Sequence, residues 1–268
     1  NNIKANKTIS ERNFVNSLFI PAAPSDENLS IGACFMAFNE EYGHEKSFNL
    51  IKRNLTAFWG SNISKLEINS FTEHPYITKN FHLIEDFDYS DIAEILANDE
   101  IIALCFEKME FGSRALGHRS IIADPSNPKI LKKINNLIKK RDFWMPFTPS
   151  IIDYKFDEYV INLKELQSQF MTMSFDTTDL GKKHLISAIH PYDQSVRPQI
   201  VSKETCERFY MIIDQFHKKT GIGAVLNTSL NIHGKPIINK PIDIINEILL
   251  EGIPLNYILI NDILFIRK

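Results

Sequence analysis

Apolar and polar positions along the chain divide it into two unlike parts. Residues 13–43, "NFVNSLFIPAAPSDENLSIGACFMAFNEEYG", predict a short apolar strand, a Pro- and Ser-containing loop and an apolar helix. Residues 44–85 are polar and irregular, with His74-Pro75 and scattered aromatics, and read as a linker or excursion. From Ser90 the periodicity sharpens. "SDIAEILAND" predicts a helix capped by Ser90 with Ile92, Ile95 and Leu96 on one face, and "EIIALCF" predicts a buried strand. In "NPKILKKINNLIKK", Asn127 is placed to cap and Pro128 fits the first turn. Its stripe is Ile130, Ile134, Leu137 and Ile138. "SKETCERFYMIIDQFHKKTG" carries Cys206, Phe209, Tyr210 and Ile213 at helical spacing and stops at Gly221. "IGAVLNTSLN" predicts a strand entering a polar loop, and "KPIDIINEILLEG" a Pro-started, Gly-ended helix. "NYILINDILFIRK" predicts two strands around an Asn261-Asp262 turn. The alternation predicts a mixed α/β domain from about residue 88 onward.

Composition narrows the classes. Of 268 residues, 44% are hydrophobic and 24% charged, which is globular; the formal charge is -3, so an anion site must be local. Cys34, Cys105 and Cys206 are far apart in apolar surroundings and read as buried, reduced thiols. No apolar run approaches membrane-spanning length and no signal-peptide pattern opens the chain, so a cytoplasmic protein is expected. The chain opens "NNIKANKTISE", without methionine, which reads either as a trimmed tag or as the downstream part of a longer protein.

Four polar clusters carry the chemistry. In "MEFGSRALGHRSIIADP", Gly112 and Gly117 let the backbone bend, and Arg114 and Arg119 offer planar forks suited to phosphate or carboxylate. The alternative is that both arginines pair with nearby acids such as Glu110 and Asp124. No Gly-Lys-Ser/Thr ends this loop, so it is not a P-loop. In "KKRDFWMPFTPS", Lys139, Lys140 and Arg141 end a helix, where cations favour the dipole. The rigid aromatic segment that follows could equally shape a pocket. In "LNTSLNIHGKP", Asn227, Thr228, Ser229 and Asn231 crowd the carboxyl end of a strand, where α/β domains bind ligands; the alternative is a polar turn. "AIHPYDQSVRPQ" holds His190, Asp193, Ser195 and Arg197.

In order and spacing, the strings "EKMEFGSRALGHRSIIADPS", "LIKKRDFWMPFTPS", "HPYDQSVRPQIV" and "VLNTSLNIHGKPII" resemble the C-terminal half of the NodU/CmcH family of O-carbamoyltransferases. "PAAPSDENLSIGAC" resembles the last segment of that family's Kae1-like, actin-like ATPase-type domain. The resemblance implies a Kae1-like remnant over 1–43, a linker over 44–87 and a YrdC-like domain over 88–268, with a twisted mixed sheet flanked by helices. It implies that carbamoyl phosphate and ATP with Mg2+ form carbamoyladenylate, and that the carbamoyl group then passes to a hydroxyl of a sugar-containing acceptor.

By the same resemblance Lys139 and Arg141 bind phosphate, Arg114 and Arg119 are the family's two arginines, and Ser229 and Asn231 form its Ser-x-Asn signature. Asn227, Thr228, His190 and Arg197 join them at the substrate, and Asp26 helps hold Fe2+ or another divalent metal. The family's HxxxH metal motif is expected far upstream, because none of the eight histidines here makes such a pair. The partner is the Kae1-like domain, with a homodimer left open and neither membrane nor nucleic acid expected. Ser113, His118 and Met145 stand where the family has Pro, Asn and Arg; His233, Lys235 and Asn28 replace Arg, Glu and Gly. Two rival readings are a Sua5/YrdC-type threonylcarbamoyl-AMP synthase and a non-catalytic nucleotide- or RNA-binding module.

Overall fold

The computed structural model describes residues 2–50, 56–139 and 145–268. Period-2 alternation splits the strands' side chains between two cores, and this fixes the architecture. Ile102 and Leu104 of β2 (Ile102–Cys105) join one cluster; Ala103 and Cys105 join the other. In the same way Ile122 of β3 (Arg119–Ala123) faces one core, and Ile121 and Ala123 face the other. Strands buried on both faces need helices on both sides. The helices Tyr89–Ala97 and Glu207–Thr220 cover one face; Lys65–Thr72, Pro128–Ile134 and the turns 241–249 cover the other.

The other strands are β1 (Phe81–Ile84), β4 (Thr148–Ile152), β7 (Gln199–Val201), β8 (Ala224–Ser229), β9 (Tyr257–Ile260) and β10 (Ile263–Arg267). The main sheet runs β1-β10-β9-β2-β3-β8-β4-β7; β2–β9 and β4–β7 are parallel and the other pairs antiparallel. A separate ribbon pairs β5 (Val160–Ile161) with β6 (Asp176–Thr177). The expected mixed sheet with flanking helices is therefore present. No helix among the described residues is long and apolar enough to cross a membrane.

Local expectations fare unevenly. Asn127 caps its helix by accepting from Lys129 N at 2.9 Å, and Gly221 ends Glu207–Thr220 at φ +79°. At Tyr89–Ala97 the cap is Asp88 rather than Ser90, because the Asp88 carboxylate accepts from Ser90 N while Asp91 accepts from Asp88 N. Residues 13–20 form no strand, although Leu18 and Ile20 still pack against a core. The stretch expected as an irregular excursion holds the helices Lys65–Thr72 and Pro75–Asn80 and edge strand β1; buried Phe71, Ile77 and Phe81 tie it to the sheet. Cys105 and Cys206 are buried as expected, but Cys34 is exposed on the helix Leu29–Tyr42, none of whose residues is buried.

The loop between β2 and β3 is fitted to its surroundings through two glycines. Gly117 has φ +118°, and a Cβ there would sit 2.4 Å from the Phe209 ring. Gly112 has φ +98°, with an added Cβ 2.3 Å from Ala23 Cβ. Gly117→Ala is expected to cost roughly 2–4 kcal/mol, through both the left-handed backbone and overpacking. Urea denaturation checks this; a loss below about 1 kcal/mol would show that the loop does not depend on that close approach.

Candidate active site

The loop Phe106–Arg119 is organised from inside by one carboxylate. Glu110 is 4% exposed, and its Oε1 accepts from the backbone N–H groups of Leu116 (2.7 Å), His118 (2.9 Å) and Arg119 (3.1 Å). The opposite side of the loop is held by a buried polar network. Asn227 Nδ2 donates to Ala115 O (3.2 Å) and Ser150 Oγ (2.9 Å), and Gln199 Nε2 donates to Leu116 O (2.7 Å). Ser150 Oγ donates to Gln199 Oε1 at 2.7 Å, so neighbouring strands β4, β7 and β8 share one network. Such networks specify geometry strongly when their members are satisfied.

The two arginines part company here. Arg119 is fully buried, and its guanidinium is spent on carbonyls: Nε donates to Asn239 O (2.9 Å), one terminal nitrogen to Phe106 and His118 (3.2 Å), the other to Glu107 (3.3 Å). In this structure the fork is turned to backbone carbonyls and clamps the loop. Arg114 makes no hydrogen bond or ion pair among the described residues, and its Nε is buried without a partner. It lines a cavity of about 230 Å³ with Ala22, Ser25, Glu27, Phe111 and Phe170. Burial lowers the pKa of its guanidinium, because desolvation disfavours a charge that no described anion offsets. Neither arginine pairs with a carboxylate of Glu110 or Asp124; Asp124 accepts from Ser126 N and Oγ, both at 2.7 Å.

Lys139 ends the turn that continues the helix Pro128–Ile134, and it is 1% exposed. Its Nζ donates to Ser229 O (2.5 Å) and Oγ (3.1 Å) and to Asn231 O (2.9 Å) and Oδ1 (2.6 Å). Ser229 Oγ also donates to Asn231 Oδ1 at 2.6 Å. The lysine and the Ser-x-Asn pair, remote in sequence, therefore form one unit at the carboxyl end of β8. Ser229 and Asn231 line a cavity of about 610 Å³ whose other walls include Glu110, Gly112, Ser113, Trp59 and Lys235. Glu27, Phe111 and Ser113 line both this cavity and the smaller one beside Arg114. Arg141, Lys140, Phe143 and Trp144 lie outside the described residues.

The remaining candidates sit elsewhere. Asn227 is 1% exposed and serves the network above, while Thr228 is buried in β8 opposite Ile121. His190 Nδ1 lies 3.2 Å from Asp193, which also pairs with Lys4 of the helix Ile3–Ser10; this element tethers the N-terminal helix. Arg197 donates to Thr148 Oγ1 at 2.9 Å. His190 and Arg197 do not line the cavity of Ser229 and Asn231. Asp26 is exposed in the turn Asp26–Asn28, and among the described residues no group of three or more His, Cys, Asp or Glu side chains could hold a metal. The described residues therefore do not build a divalent-metal site around Asp26. Glu110, Gln199 and Ser150 were missed; the only available signal was an acid inside a glycine-flanked loop.

His118 closes the loop against the helix Glu207–Thr220. Its Nδ1 lies 2.6 Å from Lys108 O, which can only accept, so Nδ1 carries the proton and Nε2 accepts from the Cys206 thiol at 3.3 Å. Its ring stacks on Phe58 with centroids 3.8 Å apart. Burial lowers the His118 pKa despite the nearby Glu110 charge, and burial pushes the Cys206 thiol up to about 12. The pair is therefore neutral. Below the ordinary imidazole value of about 6.5 the unfolded chain binds a proton that the folded chain refuses. Stability is expected to drop as the pH is lowered there, by up to about 1.4 kcal/mol per unit, until the lowered folded value is reached. His118→Asn should flatten that slope in urea melts between about pH 7 and 5; unchanged slopes would contradict the neutral assignment.

Comparison of the sequence with known proteins shows a family. Residues 93–267 match the family model described as "Carbamoyltransferase C-terminus". An uncharacterized protein of Methanocaldococcus jannaschii is 36% identical over 252 residues, covering 92% of this chain and 46% of its own length. Nodulation protein NolNO of Sinorhizobium fredii is 30% identical over 236 residues, covering 87% of this chain and 34% of its own. NolO of Bradyrhizobium diazoefficiens is also 30% identical, with 42% of its length covered. The chain thus spans less than half the length of these relatives. The crystal structure of T. kodakarensis HypF aligns over 77% of this chain and 27% of its own, with a TM-score of 0.46 and 14% identity. By the family model and these identities, the chain belongs to the carbamoyltransferase C-terminus family.

Proposed function

We propose that this chain activates the carbamoyl group as carbamoyladenylate, for O-carbamoylation of a hydroxyl on a sugar-containing acceptor. The observation that carries this reading is the Lys139 ammonium held by Ser229 and Asn231, the two residues that line the 610 Å³ cavity in front of it. Carbamoyl phosphate, ATP and one water would give carbamoyladenylate, inorganic phosphate and pyrophosphate. Water attacks the phosphorus of carbamoyl phosphate and breaks its bond to the carbamoyl oxygen, so inorganic phosphate leaves and the electron pair stays on carbamate. A carbamate oxygen then forms a bond to the α-phosphorus of ATP as the bridge to the β-phosphate breaks, and that electron pair leaves on pyrophosphate.

Two polyanions must share one site, so preorganised cations are the main requirement. In this reading Lys139 exchanges one of its oxygen contacts for a phosphate oxygen, and Arg114 meets an anion through its unpartnered Nε. Ser229 Oγ and the Asn231 amide hold Lys139 in place and orient the ligand. Arg119, Asn227 and Gln199 act through the loop as positioning residues. ATP would enter as its Mg2+ complex. No step is assigned to a metal at Asp26, which lacks companion ligands among the described residues.

The test is carbamoyl phosphate-dependent ATP–pyrophosphate exchange. Wild type is expected to exchange, and Lys139→Met and Arg114→Ala to lose about 10–150-fold in kcat/KM, the equivalent of one charged hydrogen bond each. A folded, ATP-binding sample without exchange above background, or undiminished exchange in both variants, would defeat the proposal. Exchange driven by threonine and bicarbonate instead would move the activity to threonylcarbamoyl-AMP synthesis. RNA binding with a steep salt dependence, without exchange, would point to the non-catalytic module.

A further inference from the structure

Glu110 has one oxygen too many for its structural role. Oε1 takes three backbone N–H groups of the loop, whereas Oε2 is buried and has no hydrogen-bond partner among the described residues. The residue nevertheless lines the 610 Å³ cavity beside Ser229, Asn231, Gly112 and Ser113. No described cation neutralises it: Glu110 makes no ion pair within 4.0 Å, and Arg119 is turned to carbonyls. A desolvated carboxylate oxygen left unpaired is costly, so a donor from a ligand is the physical expectation.

A carboxylate only accepts, which restricts what it can meet. Phosphate groups of ATP and carbamoyl phosphate are themselves acceptors and would be repelled. The donors available are the carbamoyl NH2, the adenine amino group and the ribose hydroxyls. The anion-binding unit of Lys139, Ser229 and Asn231 borders the same cavity. The carbamoyl NH2 lies a short arm from its own phosphate, whereas the adenine amino group is far from the triphosphate. We infer that Glu110 Oε2 accepts from the NH2 of the carbamoyl donor and so selects it over acyl phosphates that carry a methyl group there. This rests on the carbamoyl-activation reading above. Sites built to hydrogen-bond a donor reject analogues lacking it far more strongly than apolar pockets reject a missing methylene.

The experiment is calorimetric titration of the chain with carbamoyl phosphate and, separately, acetyl phosphate. Wild type is expected to prefer carbamoyl phosphate by about 10–100-fold, the range of one hydrogen bond to a charged group. Glu110→Gln keeps a carbonyl oxygen for the three loop N–H groups and turns the second position into a donor. It should lose that preference, with acetyl phosphate affinity within about threefold of wild type, as expected for a ligand with no N–H to lose. Thermal melting checks that the variant folds; if it does not, the wild-type preference alone decides. Carbamoyl phosphate bound no more tightly than acetyl phosphate, including no binding of either, overturns the inference. So does a preference retained in folded Glu110→Gln. Absence of pyrophosphate exchange would defeat the functional proposal while leaving this binding comparison readable.

Discussion

Three backbone N–H groups converging on one buried carboxylate oxygen hold the candidate site together. Removing that oxygen would leave the amides of Leu116, His118 and Arg119 unpaired inside the protein. Their position fixes the path of the β2–β3 loop and therefore where Arg114 lies. The glycines follow from the same constraint. Gly112 and Gly117 both take positive φ, and each brings the loop against a neighbour where a Cβ has no room. Arg119 closes the arrangement by binding the carbonyls of Phe106 and Glu107, so β2 leaves the sheet in a fixed direction.

Behind the loop, the sheet changes character along its length. Its centre is apolar on both faces, with Ile102, Leu104, Ile122 and Leu259 in one core and Ile121, Ala123, Ile258 and Ile260 in the other. Farther along the sheet, β4, β7 and β8 carry Ser150, Gln199 and Asn227, whose donors are taken up by each other and by loop carbonyls, while Asn227 Oδ1 has no partner among the described residues. A polar stripe in a buried sheet costs desolvation and is stable only when paired. Here the pairing carries the rigidity of strands β4, β7 and β8 into a loop with no regular structure. Lys139 extends the same logic to the carboxyl end of β8. Its helix brings an ammonium to the oxygens of Ser229 and Asn231, so charge is placed by two rigid elements.

Much of this was legible in the sequence because local rules and periodicity agreed. Asn127, Pro128 and Gly221 sit at helix ends as their chemistry requires, and the strand runs alternate between two cores. The resemblance singled out Lys139, Ser229 and Asn231, but their contact was not legible in the sequence, since no local rule links residues so far apart. Other features depended on tertiary context. Arg119 reads as an anion ligand in sequence, and only its complete burial among carbonyls shows a clamp. Asp88 displaced Ser90 as the cap because its carboxylate, two residues earlier, accepts from the Ser90 N–H and so places Ser90 inside the first turn. The helices and strand of 65–84 were hidden by short length and polar composition, and their burial comes from packing on β10. Cys34 looked buried because its neighbours are apolar, yet none of the residues of its helix is buried among the described residues.

The central claim is that the cavity bounded by Glu110, Ser229 and Asn231, with Lys139 behind and Arg114 beside it, receives the phosphates. The most direct measurement is a crystal structure of the chain soaked with a non-hydrolysable ATP analogue. The account predicts phosphate density within hydrogen-bond distance of Lys139 Nζ or Arg114, beside Ser229. Ordered nucleotide in the separate cavity lined by Tyr89, Lys203 and Arg208, with the Lys139 unit unchanged, would contradict it.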